Sequence, residues 1–222
     1  MAGSQSVPVT LTVTAAIATP VSVTASVTVS SVTDAADFHA GPVVPGSLAA
    51  VFGTNLSGQN VSVMFDGIAA HLLYSGATQI NLQVPSQLTG HTSTQMVVTV
   101  DGSSSAPMTV QLAAIAPALF TPGILNQDST VNGPAHPAAA GTVLQIFGTG
   151  MPDSGAAVFV TIGTHANLVP LYAGAAPGLP GIEQVNVALP ADLGVTSANL
   201  TICVTGTGSQ RYCSQPEVIA LQ

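Results

Sequence analysis

The sequence predicts an all-β protein made of two tandem immunoglobulin-like β-sandwich domains with an N-terminal β-strand extension. Three observations predict it. Apolar residues recur with period two, a single ordered set of segments occurs twice, and Gly, Pro and Asn break the chain at roughly the 8–12-residue spacing of sandwich strands. About seven short strands per copy is the count of an immunoglobulin-like sandwich.

An internal repeat sets the architecture. Pro45-Gly46-Ser47-Leu48-Ala49-Ala50-Val51-Phe52-Gly53-Thr54-Asn55-Leu56 matches Ala140-Gly141-Thr142-Val143-Leu144-Gln145-Ile146-Phe147-Gly148-Thr149-Gly150-Met151. Leu72–Gly76 then matches Pro170–Gly174, and Gln79–Pro85 matches Gln184–Pro190. The order is kept while the offset grows, as loop insertions require. The reading divides the chain into an extension at 1–36, a first domain at 37–118, a linker at 119–136 and a second domain at 137–222.

Within each copy the pattern is strand and turn. Leu48, Ala50 and Phe52 alternate with Ala49, Val51 and Gly53, and Val61, Val63 and Phe65 with Ser62, Met64 and Asp66. Phe52 and Phe147 are expected to fill the cores, each followed by a Gly that permits a bulge or positive φ. Tyr74 and Tyr172 are expected as core or corner tyrosines. Asn81 and Asn186, unusual in strands, are expected to bond a neighbouring backbone at a sheet edge.

Residues 7–30 differ from the rest. Val7, Val9, Leu11 and Val13 alternate with Pro8 and three threonines; Val21, Val23, Ala25, Val27 and Val29 alternate with Ser and Thr. Each run reads as an amphipathic strand, and two strands alone are marginal in water. They pair with the first sandwich, are the remnant of an upstream domain, or add to a sheet of a neighbouring molecule. Ser30–Asp37 is expected as the hinge that would let them leave. Val7, Val9, Leu11, Val13, Val21, Val23, Val27 and Val29 are therefore the candidate assembly-strand residues.

Cys203 and Cys213 are the only cysteines and flank Gly206-Thr207-Gly208-Ser209, a turn signal. Two strands meeting there bring the side chains across a hairpin, which predicts a structural disulfide and an oxidising compartment.

Only 5% of residues are charged, with nine carboxylates, one Arg and a net charge of −8. A single cation cannot supply the basic footprint that nucleic acid or an anionic membrane surface requires. There is no apolar run long enough to span a membrane as a helix, so the reading expects no membrane insertion. Met1–Gln5 has neither a basic nor an apolar signal region, so no signal peptide is expected within this chain. A surface of Thr, Ser, Asn, Gln and Gly suits an extracellular or cell-surface protein and suits self-association.

The segments Pro45–Leu56, Leu72–Tyr74, Gln79–Pro85, Val98–Pro107 and Gly123–Asp128 resemble a C-terminal domain family of secreted acidobacterial (Solibacter-type) proteins. The resemblance covers about residues 32–222 of the sequence. Each half also looks like the IPT/TIG branch of immunoglobulin-like domains, and Ser4–Ala15 resembles the closing strand of BACON-type domains. The resemblance implies this fold and secretion, and it carries over no catalytic residues.

Chemistry-bearing motifs are sparse. No nucleophile elbow occurs, and His39, His71, His91, His136 and His165 form no zinc-binding spacing. Asn126–Asn132 reads as an Asx-turn linker, with a calcium loop as the alternative; Pro137 stands where an EF-hand needs Glu. Asn55, Asn60 and Asn199 head glycosylation triplets. The sequence is therefore expected to encode a non-enzymatic protein without cofactors. Two functions stand: an extracellular structural, self-assembling subunit of a filament, stalk or surface layer joined by β-strand addition, or a secreted accessory module binding carbohydrate or protein. The expected partner is a second copy of the chain, with extracellular polysaccharide as the alternative.

Overall fold

The computed structural model describes residues 26–151 and 157–222. The first sandwich contains β1 (Thr28–Asp34), β2 (Leu48–Thr54), β3 (Val61–Phe65), β4 (Ile68–Ala69), β5 (His71–Ser75), β6 (Gln79–Gln83), β7 (Ser93–Val100), β8 (Ser103–Ser104) and β9 (Met108–Gln111). The second contains β10 (Ala118–Leu125), β11 (Val143–Thr149), β12 (Val158–Ile162), β13 (His165–Leu168), β14 (Tyr172–Ala175), β15 (Glu183–Ala188), β16 (Ser197–Thr205), β17 (Arg211–Cys213) and β18 (Glu217–Ala220).

One topology serves both. In the first, a sheet in the order β1-β2-β6-β5 faces a sheet in the order β4-β3-β7-β8, with β9 also on β7. The second repeats this as β10-β11-β15-β14 against β13-β12-β16-β17, with β18 on β16. The protein is thus all-β, with two tandem immunoglobulin-like sandwiches. Each has its own core. Val51, Phe65, Ile80, Leu82, Met96 and Val98 fill the first, and Leu144, Ile146, Ile162, Val185, Leu200 and Ile202 fill the second.

The structure moves several expectations. Leu119–Leu125, read as the start of a linker, and Ala118, read as the end of the first domain, form the first strand of the second sandwich, which pairs with β11. Leu119 and Ile124 belong to that core, so hydrophobic burial holds the segment in the domain. Likewise Ser30–Asp34, read as a hinge, continues β1, which pairs antiparallel with β2 from Thr28↔Thr54 to Asp34↔Ala49.

The phenylalanines lie on the other face from that expected. Ala49 and Val51 point into the first core, and Leu144 and Ile146 into the second. Successive side chains alternate across a strand, so Phe52 and Phe147 stand outside, half-buried. Phe52 meets Phe38 edge-on at 5.8 Å between ring centroids. The following Gly53 and Gly148 serve close approach: a Cβ on Gly53 would run into the Thr28 carbonyl, and one on Gly148 into that of Ala118.

Candidate functional site

The sequence-predicted residues are dispersed by the fold. Cys203 and Cys213 lie directly opposite each other on β16 and β17. They form a disulfide with S–S 2.06 Å and Cα–Cα 4.1 Å. Among the assembly-strand candidates, Val29 pairs with Gly53 of the chain's own β2, and Val27 is buried in the first core. Val7, Val9, Leu11, Val13, Val21 and Val23 lie outside the described residues.

The repeated polar residues have local roles. Gln79 Nε2 donates to Asn81 Oδ1 at 2.7 Å, and Gln184 Nε2 to Asn186 Oδ1 at 2.8 Å. Residues two apart share a face of a strand, so Gln-x-Asn makes a same-strand bond on β6 and β15. Both strands are interior to their sheets, which corrects the edge-backbone expectation. Tyr74 and Tyr172 are on the edge strands β5 and β14 and are exposed. The Tyr172 hydroxyl donates to the Ala175 carbonyl at 2.6 Å, a corner rather than a core role. Asn55 is exposed and donates to the Ser26 carbonyl at 2.8 Å.

The Asn126–Asn132 oxygens are engaged in turn contacts. Asn126 Nδ2 donates to Thr130 Oγ1 and the His136 carbonyl, and Asn132 Nδ2 to Asn126 Oδ1 and the Ala220 carbonyl. Asp128 Oδ1 accepts from both the N–H and the hydroxyl of Thr130. This network ties the loop to β18. Among the described residues no group of three or more His, Cys, Asp or Glu is placed to hold a metal ion. His165 Nε2 lies 3.0 Å from Asp192 Oδ1.

The shifted carboxylates are also explained by turns. Burial pushes Asp34 up, opposed by the N–H groups of Asp37 and Ala36. Asp66 is lowered by the Thr94 hydroxyl and the Gln95 N–H, Asp101 by the N–H groups of Asn60 and Gln59, and Asp128 by Thr130. Each is a carboxylate accepting local donors.

The feature that joins distant parts of the chain is the contact between the sandwiches. The start of β2 abuts the end of β11. Leu48 N–H donates to Thr149 Oγ1 at 2.9 Å, and that hydroxyl donates to the Gly181 carbonyl at 2.7 Å. Thr149 is fully buried, so its hydroxyl uses its one donor and an acceptor position inside the joint. Gly181 has φ +78°, and a Cβ there would come within 2.6 Å of Leu48 Cδ2. Beside it Ala116 N–H donates to the Gly150 carbonyl at 3.0 Å. Met151 N–H donates to Glu183 Oε2 at 3.3 Å.

A cavity of about 450 Å³ opens next to this joint, lined by Pro45, Ser47, Ala176, Leu179, Pro180 and Glu183 among others. Sequence reasoning missed the joint, although the Phe-Gly-Thr repeat marks Thr54 and Thr149 as equivalent. A hydroxyl's partner 101 residues away leaves no local pattern.

No protein-family model matches the chain, and no curated protein matches it. Several solved structures resemble it in part. A γ-CGTase from alkalophilic Bacillus clarkii is 13% identical, with 88% of this chain and 26% of that one covered and a TM-score of 0.34. The Bacteroides ovatus mixed-linkage glucan utilization locus protein SGBP-B, in complex with a mixed-linkage heptasaccharide, is 16% identical over 82% of this chain and 43% of that one, with a TM-score of 0.41. The titin Ig tandem A164–A165 is 10% identical over 82% and 91%, with a TM-score of 0.24. The chain spans about a quarter of the first of these and under half of the second. None of these likenesses assigns an activity to this chain.

Proposed function

We propose that the chain is a non-enzymatic structural module of an extracellular or cell-surface assembly, a stalk or spacer whose two sandwiches are locked in line. The buried Leu48–Thr149–Gly181 hydrogen-bond relay supports this reading. Domains linked by a flexible tether leave such groups in water, whereas here a fully buried hydroxyl holds both partners. Removing it leaves the Leu48 N–H and Gly181 carbonyl without partners, at a cost of about 1–3 kcal/mol. The disulfide fits an oxidising compartment. β1 pairs with β2 of its own sheet, so Val29 is not offered as a strand to a neighbouring molecule in this reading.

Small-angle X-ray scattering tests the reading. The intact protein should fit one rigid arrangement, and Thr149→Val should broaden it into an ensemble of interdomain angles. An intact protein that already samples many angles overturns it. Retention on insoluble glycans would favour the binding-module alternative.

A further inference from the structure

The two ends of the molecule carry counterparts of the strand ends that meet in its own joint, while the turn that holds Gly181 has no counterpart in the first sandwich, where Gly76 N–H donates directly to the Gln79 carbonyl. Register makes the equivalence explicit. Leu48 pairs with Gln83 at the start of β2, and Val143 with Ala188 at the start of β11. Thr54 pairs with Thr28 at the end of β2, and Thr149 with Ala118 at the end of β11. The joint therefore uses the start of β2 and the end of β11. The start of β11 is left at the C-terminal pole and the end of β2 at the N-terminal pole.

Each pole retains part of the joint's local geometry. Ser47 Oγ donates to the Val44 carbonyl at 2.6 Å in the joint, and Thr142 Oγ1 to the Ala139 carbonyl at 2.6 Å at the C-terminal pole. Val84 N–H donates to the Ser47 carbonyl at 2.9 Å, and Leu189 N–H to the Thr142 carbonyl at 2.8 Å. At the other end, Thr54 is followed by left-handed Asn55 (φ 58°) as Thr149 is by left-handed Gly150 (φ 77°). Thr54 Oγ1 lies 2.7 Å from Thr28 Oγ1; donating there leaves it an acceptor, as Thr149 Oγ1 is for Leu48.

The C-terminal pole has an apolar cavity of about 340 Å³ lined by Ala140, Leu193, Val195 and Leu221, with Val195 51% exposed. There the Val143 N–H, equivalent to that of Leu48, donates to Gln127 Oε1 at 3.1 Å. Gln127 is exposed, so its amide occupies the acceptor position that Thr149 fills in the joint.

We propose that the C-terminal pole accepts the N-terminal pole of a second copy, repeating the internal joint, and that Gln127 is the cap restraining this stacking. The proposal rests on the reading of the chain as an in-line structural module. Replacing Gln127 Oε1 by Thr54 Oγ1 exchanges one hydrogen bond for another, so apolar burial around Val195 drives the contact. The contact is heterologous and need not close on itself. The net charge of −8 on each copy opposes it, so salt favours it.

Sedimentation velocity over a concentration series tests this on the full chain. Gln127→Ala should associate at a concentration at least tenfold lower than the intact protein, more so in high salt. Adding Val195→Asp should return it to monomer, and deleting residues 1–25 should leave association unchanged. A Gln127→Ala protein that stays monomeric overturns the proposal. So does association that ignores Val195→Asp, or association lost with residues 1–25, which would assign assembly to strand addition. Scattering by the monomer reports the rigidity of the internal joint separately, so the two readings fail independently.

Discussion

Two hairpins at equivalent places in the two sandwiches are closed by different chemistry. In the second, Cys203 and Cys213 face each other on β16 and β17 and are covalently joined. In the first, Thr99 and Ser104 face each other on β7 and β8, and their hydroxyls lie 2.8 Å apart. The next residue plays one part in both: Ser105 Oγ accepts from Val98 N–H, and Ser214 Oγ from Ile202 N–H. The fold asks only for a compact cross-strand pair at this place. The difference follows the connection. The disulfide bridges a separation of 10 residues, the hydroxyl pair one of 5, and the longer excursion has more chain entropy to restrain.

The strongest way to break the likeness of the sandwiches is through their cores. Phe65 and Ile162 occupy equivalent, fully buried positions. Phe65→Ala should cost about 3–5 kcal/mol and lower the calorimetric transition of the first sandwich while leaving that of the second. Transitions that fall together would show that the joint makes the pair one cooperative unit.

The hairpins sharpen the comparison next. Replacing Cys203 and Cys213 by Ser should cost about 2.7 kcal/mol by loop-closure entropy and act on the second sandwich alone. Dithiothreitol should reproduce the shift in the intact protein and leave the first sandwich unmoved. Conversely, Thr99→Cys with Ser104→Cys should add about 2 kcal/mol to the first sandwich, with non-reducing mass spectrometry reporting the bond. Loss of stability on oxidation would show that the pair cannot take disulfide geometry.

The smallest effect is in pH. The lowered Asp66 and Asp101 add stability above the ordinary carboxylate range, and this is lost as pH falls through their folded pKa values. Asp34 has the opposite sign. Its raised pKa means that the folded protein binds its proton more tightly, so acidification through that pKa favours folding. The two effects fall in successive windows: Asp34→Asn should remove the gain in stability that acidification brings as pH falls toward about 4, and leave unchanged the later loss carried by Asp66 and Asp101. Melting temperatures against pH check this; identical slopes would contradict it.

The architecture was legible because Phe-Gly-Thr and Gln-x-Asn recur in one order, and local side-chain geometry makes such patterns recur. The disulfide was legible because a Gly-rich turn makes its strands neighbours. The start of β1 was legible in the alternation that ends at Val29, but its continuation and β10 were not, since Ser30–Asp34 and the Pro- and Gly-containing Ala118–Leu125 have turn-like compositions and become strands through burial against a distant core. The side on which Phe52 lies was not legible either: period two gives alternation without saying which set faces inward. The Thr149 relay depends on a partner 101 residues away, and the sequence contains no local trace of it.

The scarcity of cations and the position of the disulfide combine in one further way. Proteases that cut after Lys or Arg have a single site in the chain, Arg211. Its guanidinium lies 4.8 Å from the Phe159 ring centroid and donates to Asn167 Oδ1 at 2.6 Å, so β17 must peel away before the bond after it is reached. That bond also lies between Cys203 and Cys213, inside the covalent loop. A trypsin-like enzyme that succeeds in cutting it leaves two fragments still joined through sulfur.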